Sequence, residues 1–265
     1  MSGVSWLSES LRAWKTPVGV LVVMLALEVM AYAKPAWPAG CTLSPTHTGL
    51  VFPVEKVDPT WLCRLQSIID NPTTTNTVGP IRVALSESLY RYLLDRPPLA
   101  ATLIQRLGFG VYVSEYRGPG RFWGDDGAGT KGIVELVYQD ATSRIYVLEG
   151  THKGRILPHI LGKAVVFLRM DVVRDSDNRE AVDSTMVAYT KLDNRVLSGL
   201  FSLLRPLIGG TAGGKLTKGV QTVNRLGMAM RQSPDLVLSQ AIEAPALPDA
   251  DVVFLREALG GLPVP

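Results

Sequence analysis

The chain has 265 residues, of which 46% are hydrophobic and 19% are charged, a balance typical of folded proteins and not of disordered ones. Its 27 Lys+Arg and 24 Asp+Glu residues give a net charge of +3. They are spread along the chain, so no basic block indicates a nucleic-acid-binding surface, and we expect no nucleic-acid partner.

The first 33 residues have the three parts of a secretory signal. Arg12 and Lys15 precede an apolar run over 18–33, which is interrupted by Glu28 and ends in Ala31-Tyr32-Ala33. The pattern predicts export to the periplasm or another extracytoplasmic space, with cleavage after Ala33. An uncleaved anchor that tethers the protein to a membrane is the alternative, although the run is shorter than the roughly 20 residues of a spanning helix. A lipid anchor at Cys41 and a buried helix of the domain are further interpretations.

Two cysteines, Cys41 and Cys63, follow this segment. In an oxidising compartment, the simplest use of an even count is one disulfide, which would close a loop of about 22 residues and contribute about 3 kcal/mol. Two unpaired thiols are the alternative.

Residues 34–78 have the composition of a loop-rich lead-in with one short helix. Pro59 to Asp70 carries apolar residues at helical spacing after an initial proline, which predicts a helix that docks on the domain. The polar run from Asn71 to Thr77 predicts a turn or linker.

The next segment, 79–232, is predicted to be an α+β domain. Two helices are indicated at 86–95 and 98–107, and Gly108 ends the second. A period of two then predicts strands at 109–116, 121–124, 132–138, 144–149, 163–173 and 181–190. Because the loops between them are short, the strands should pair antiparallel in a sheet of about six or seven strands.

Helical spacing returns after Asn194. Val196 to Ile208 forms a broad apolar stripe, and a second stripe runs from Leu216 to Met230. Between them, Gly209, Gly210, Gly213 and Gly214 are predicted to break one long C-terminal helix into two parts and to act as a gate. Residues 233–265 are expected to form a peripheral tail.

No catalytic constellation is evident. Gly209 to Lys215 matches seven positions of a phosphate-binding loop, but Leu216 stands where a Mg²⁺-binding hydroxyl is required. His47, His152 and His159 lack the spacing of a metal site, and a Glu135–Glu149 acid pair would need a geometry that sequence does not give. We therefore expect a protein that is not an enzyme and uses neither a metal nor a cofactor.

Aromatic residues fall mainly on the predicted strands, opposite the apolar stripe of the last helix. A curved antiparallel sheet closed by a long helix encloses an interior that is filled either by side chains or by an apolar ligand. The residues predicted to line a ligand cavity are Tyr112, Phe122, Trp123, Tyr138, Tyr146, Phe167, Tyr189, Leu197, Leu200, Phe201 and Leu204.

The order of two short helices, a run of antiparallel strands and a long C-terminal helix, over about residues 79–232, resembles the helix-grip layout of the START-like (SRPBCC) family. The resemblance lies in the layout and not in a diagnostic motif. It implies a curved sheet wrapped on the last helix and a non-enzymatic carrier of lipids or other apolar molecules.

Two hypotheses on function follow. The first is an exported or membrane-tethered protein that binds or transfers a lipid-like hydrophobic ligand. The second is an envelope structural or protein-interaction module with a solid core, no ligand and a protein partner.

Overall fold

The computed structural model describes residues 40–153, 159–193 and 201–260, with the backbone alone for 201–212. The chain divides into two compact units, Met1–Cys41 and Thr42–Pro265. The predicted signal segment lies outside the described residues, and the account below concerns the second unit.

The unit is α+β, with a seven-stranded antiparallel sheet. The strands lie in the order β3-β9-β8-β7-β6-β5-β4, so that consecutive strands from β4 to β9 are neighbours and β3 pairs with the last. Their bounds are β3 Thr74–Val83, β4 Val113–Tyr116, β5 Arg121–Asp125, β6 Thr130–Gln139, β7 Ser143–His152, β8 Ile160–Arg174 and β9 Glu180–Leu192. A small hairpin of β1 (Thr46–His47) and β2 (Leu50–Val51) precedes them.

Six α-helices lie within the described residues: α1 Pro59–Ile69, α2 Glu87–Asp95, α3 Pro97–Arg106, α4 Phe201–Gln232, α5 Pro234–Ile242 and α6 Asp249–Gly260. Their starts follow capping chemistry. Asp58 accepts a hydrogen bond from the backbone N–H of Thr60 at 2.9 Å before α1, and Ser86 accepts one from Leu89 at 3.4 Å before α2. Proline stands in the first turn of α1, α3 and α5, where its missing N–H costs nothing.

Both faces of the sheet are covered. The helix-covered face packs α2 to α6 against strand residues such as Leu168, Met170 and Val182. The N-terminal face packs β2, α1 and the segment between them against Ile145, Phe167 and other strand residues. Because side chains alternate along a strand, neighbours such as Phe167 and Leu168 belong to different clusters.

The structure corrects three expectations. The predicted linker from Asn71 to Thr77 contains the first half of β3, so a domain boundary at residue 79 would cut a strand. The glycines at 209–214 do not interrupt α4, whose backbone is helical throughout. The predicted peripheral tail is also wrong: α5 and α6 supply Val237, Ala241, Leu255 and Leu259 to the core of the helix-covered face.

Candidate functional site

The helix-covered face is packed tightly at the end where β8 turns into β9. Arg231 of α4 binds Asp175 in that turn, and we call this the Arg231 end. Leu168, Met170, Val182, Leu226 and Met230 are all at most 4% exposed there. This part of the interior is filled by side chains.

The opposite end of the same face is packed less completely. We call it the Lys215 end, after the α4 residue that contacts it. Cross-strand pairing places Val134 of β6 opposite Leu148 of β7, and Leu148 opposite Ala164 of β8; Leu136 lies opposite Tyr146 in the next row. Val134, Leu136, Leu148 and Ala164 are only half-buried, and we call these four residues the apolar patch.

Gly219 of α4 lies one helical turn from Leu216 and one from Val223, which packs on the core of this face. A Cβ added at Gly219 would have no atom within 4 Å. The space beside Gly219 is therefore open, although the neighbouring Val220 and Thr222 are buried. At Gly227, two turns further on, a Cβ would lie 3.0 Å from Leu85 Cγ.

A row of glycines crosses the sheet beside the apolar patch. Gly124, Gly132, Gly150 and Gly162 lie directly opposite one another on β5 to β8. A Cβ at Gly132 would lie 2.5 Å from Gly150 Cα, which real side chains do not tolerate. The Gly132–Gly150 pair therefore permits a close approach of β6 and β7 that any larger residue would prevent.

Lys215 joins α4 to the turn between β5 and β6. Its Nζ donates to Asp126 Oδ2, to Thr130 Oγ1 at 2.7 Å and to the carbonyl oxygen of Ala128 at 3.4 Å. Asp126 Oδ1 also accepts hydrogen bonds from the backbone N–H groups of Ala128 and Thr130. These contacts account for the three donors of the ammonium group and fix α4 on the sheet.

His152 completes this group of polar residues. Its Nδ1 lies 2.9 Å from Thr130 Oγ1. Burial lowers the pKa of His152, and the positive charge of Lys215 lowers it further, while Asp126 has the opposite effect. Burial raises the pKa of Asp126, but the bonds from Lys215, Thr130 and Ala128 outweigh it, so that its pKa is lowered overall. The group is thus a neutral histidine beside a Lys–Asp ion pair.

A second polar group is buried in the middle of the helix-covered face. Arg144 is 2% exposed, and its Nη1 donates to Asp95 Oδ1 at 2.7 Å. Burial acts to lower the pKa of Arg144, but the nearby Tyr146 phenol and the Asp95 carboxylate raise it overall. Nearby, Ser184 Oγ donates to the Tyr90 hydroxyl at 2.8 Å. Burial raises the pKa of both Tyr90 and Tyr146, so that both phenols are neutral at physiological pH.

The predicted lining residues do not share one interior. Tyr112, Tyr146 and Phe122 lie with the helix-covered face, whereas Tyr138, Phe167 and Tyr189 pack on the N-terminal face. Trp123 pairs with Ile133, which pairs with Glu149, on that same N-terminal side. The prediction fails for these four because residues of opposite parity on paired strands point to opposite faces.

The remaining predicted residues of the last helix are described only in part. Leu197 and Leu200 lie outside the described residues. The side chains of Phe201 and Leu204 are not described, and Gly209 and Gly210 are described by their backbone alone. Of the other two glycines of the predicted gate, Gly213 lies close to Asn76 of β3, and Gly214 is exposed.

A surface cavity of about 320 Å³ lies at the Arg231 end. Tyr90, Met170 and Val182 form its apolar side, and Glu87, Arg91 and Asp171 line it as well. None of the predicted aromatic residues lines it, so it does not correspond to the interior expected from the sequence.

The acid pair on the N-terminal face has a structural role. Arg64 of α1 lies 3.1 Å from both Glu135 Oε2 and Glu149 Oε1. The hydrogen bond from Lys163 lowers the pKa of Glu149 and Arg64 adds to the effect, while burial opposes it. Two carboxylates that share an arginine hold α1 on the sheet.

His47, another of the three histidines, is buried on the same face. Its ring is stacked on Phe167 with centroids 4.0 Å apart, and its Nδ1 lies 3.1 Å from the Tyr189 hydroxyl. Burial lowers the pKa of His47. Cys41 and Cys63 are each disulfide-bonded.

In the part of the chain that the structure describes, no helix is long and apolar enough to cross a membrane.

No family model matches the chain, and no curated protein matches it. Similar solved structures include a conserved protein from Geobacillus kaustophilus, with 12% identity, a TM-score of 0.40 and coverage of 58% of this chain and 93% of that chain. Another is a putative uncharacterized protein from Rhizobium leguminosarum, with 13% identity, a TM-score of 0.34 and coverage of 57% and 95%. Similarity at this level carries no argument about function.

Proposed function

We propose that this protein binds a lipid-like hydrophobic molecule between the apolar patch and α4, and that it carries or transfers this ligand without catalysis. The observation that supports the proposal is the change in burial along one face. Five core side chains at the Arg231 end, Leu168, Met170, Val182, Leu226 and Met230, are at most 4% exposed, whereas those of the patch are half-buried although helices cover this face.

The energetics favour a ligand at the patch. Burial of a Val or Leu side chain contributes about 1.5–3 kcal/mol. The four half-buried residues of the patch therefore still expose apolar surface whose burial would be favourable. An apolar ligand that covers this surface would gain that free energy on binding. The open surroundings of Gly219 are consistent with space for such a ligand on the helix side.

The proposed architecture is a helix grip similar to that of the START-like family, with the sheet curved around α4. Two contacts support this arrangement. α4 approaches β3 at Gly213, close to Asn76, and two residues later Lys215 binds the turn between β5 and β6. The glycine row supports curvature as well, since glycines in strand interiors accompany sharp bends of a sheet.

Export or membrane tethering through the first 33 residues belongs to the same proposal and rests on the signal pattern of the sequence. It would place the carrier next to membranes that supply hydrophobic ligands.

The second candidate is a structural or protein-interaction module of the cell envelope. It is favoured by the buried apolar residues that fill the Arg231 end of the helix-covered face and the N-terminal face.

Native mass spectrometry of the full chain, purified from membrane-containing cells and followed by lipid extraction, tests the proposal. We expect a stoichiometric apolar molecule that is released on denaturation. A clean ligand-free mass, together with no uptake of a fluorescent fatty acid, would contradict the carrier and favour the module.

A further inference from the structure

Burial of the charged Arg144 side chain at its position in the sheet is energetically unfavourable. Arg144 lies opposite Leu168, which packs in the core of the helix-covered face, and it is 2% exposed. The transfer of a charged group from water into such a place is strongly unfavourable unless its partners compensate. A buried arginine is therefore expected to have a complete set of acceptors.

Its partners are incomplete. Asp95 accepts from Nη1, but this aspartate side chain is 45% exposed, so water solvates much of its charge. Tyr146 provides a second contact. The Nε of Arg144 has no hydrogen-bond partner among the described residues. The guanidinium thus has donor capacity and positive charge that the protein does not fully satisfy.

Tyr146 connects this group to the apolar patch. It lies two residues from Arg144 on β7, on the same face, and it is directly opposite Leu136. Leu148, the next residue of β7 on this face, pairs with both Val134 and Ala164. Unlike Arg144, Tyr146 is only partly buried. The sheet therefore presents a continuous path from a polar base at Arg144 and Tyr146 along apolar side chains towards the Lys215 end.

We propose that Arg144 and Tyr146 bind the anionic end of the ligand, a carboxylate or a phosphate, while its apolar chain lies along Leu136, Leu148 and Val134. The inference rests on the proposed function and specifies its ligand class: a long apolar chain with one terminal anionic group. Guanidinium suits this role because its planar donors match two oxygens of a carboxylate or phosphate. From Tyr146 to His152, β7 spans on the order of 20 Å, at about 3.3 Å per residue, which accommodates a long alkyl chain.

The test compares ligands that share one chain and differ in the end group. Dissociation constants of palmitic acid, hexadecyl phosphate and hexadecanol are measured with the full chain at about pH 8, where carboxylates are ionised. We expect at least one of the two anions to bind about tenfold or more tightly than the alcohol, since charge-assisted hydrogen bonds are the strong ones. The stronger anion identifies the end group.

Three variants localise the effect. Arg144→Met removes the guanidinium charge and replaces it with an apolar side chain of similar length. It should reduce the preference for the anion to about twofold or less, while hexadecanol binding changes little. Tyr146→Phe removes only a hydroxyl and should reduce the preference partly. Arg169→Met removes a partly exposed arginine of the adjacent strand, paired with Asp171, and should leave the preference unchanged.

The outcomes separate the two proposals. Equal binding of anion and alcohol by the wild type, or an anion preference that persists in Arg144→Met, would overturn the inference and leave the carrier intact. If none of the three compounds binds, the carrier itself fails and the inference with it. Thermal melting of each variant shows that its fold is retained, and Tyr146→Phe keeps the test decisive if Arg144→Met does not fold.

Discussion

Gly132 and Gly150 lie directly opposite each other on β6 and β7, and a Cβ on the first would lie 2.5 Å from the Cα of the second. The two strands approach closely because neither residue has a side chain at this point. The pair lies between the apolar patch and the polar residues Lys215, Asp126, Thr130 and His152. It therefore sets the shape of the sheet beside the proposed ligand.

Substitution in the glycine row tests this relationship. Gly132→Ala should lower the free energy of unfolding by more than about 2 kcal/mol, because the strands must move apart to admit the methyl group. Gly124→Ala is the matched control in the same row, since its Cβ would meet its nearest atom, the Val113 carbonyl oxygen, at 3.9 Å; we expect a change within about 0.5 kcal/mol. Urea denaturation measures both, and equal losses would show that the close approach is not tight.

The packing of the C-terminal helices is tested on α6. Leu255 is 0% exposed and Val253 is 51% exposed. Leu255→Ala should cost about 2–5 kcal/mol of unfolding free energy through the lost contacts and the cavity left behind. Val253→Ala should change it by less than about 0.5 kcal/mol. A small effect at both positions would indicate that this segment is peripheral and does not contribute to the core.

The pKa of His152 gives stability a definite pH dependence. Because its pKa is lowered in the folded state, the unfolded chain takes up the proton more readily, and the free energy of unfolding falls as the pH drops below the ordinary value of 6.5. His152→Gln should remove part of this fall. The lowered pKa of His47 maintains the rest. Unfolding curves of both proteins across this pH range measure the difference, and identical slopes would contradict it.

Lys215 should contribute directly to that pKa. Lys215→Met removes a positive charge beside His152 and leaves Asp126, so we expect the pKa of His152 to rise in an NMR titration. Lys218→Met changes an exposed lysine of the same helix and serves as the control. An equal response to both substitutions would mean that the contact between Lys215 and the Thr130–His152 pair does not form in solution.

Much of the secondary structure is predictable from local patterns. Proline at the start of α1 and the period of two from Val113 onward identify these elements correctly. The first half of β3 is missed because Thr and Asn form turns as readily as edge strands in isolated sequence. The core role of α5 and α6 is missed because the apolar residues of these helices do not show, without the rest of the fold, which surface they pack against.

The candidate site was harder to foresee. Alternation shows that Phe167 and Leu168 occupy opposite faces, but the face that Tyr146 shares with Leu168 depends on the register between β7 and β8. The glycine row also depends on the register between strands. Gly124, Gly132, Gly150 and Gly162 are far apart in sequence, and only strand pairing aligns them. The role of Lys215 is likewise hidden, because its partners come from a turn almost ninety residues away.

The most direct test of the carrier is to fill the space beside α4. Gly219→Leu adds a side chain where a Cβ meets no atom within 4 Å, and Gly214→Leu makes the same change at an exposed position that is equally unobstructed. Both substitutions should preserve or raise stability, since leucine favours helix more than glycine does. Binding of a fluorescent fatty acid should weaken about tenfold or more in Gly219→Leu and remain unchanged in Gly214→Leu. Equal binding by both variants would contradict a ligand between α4 and the apolar patch.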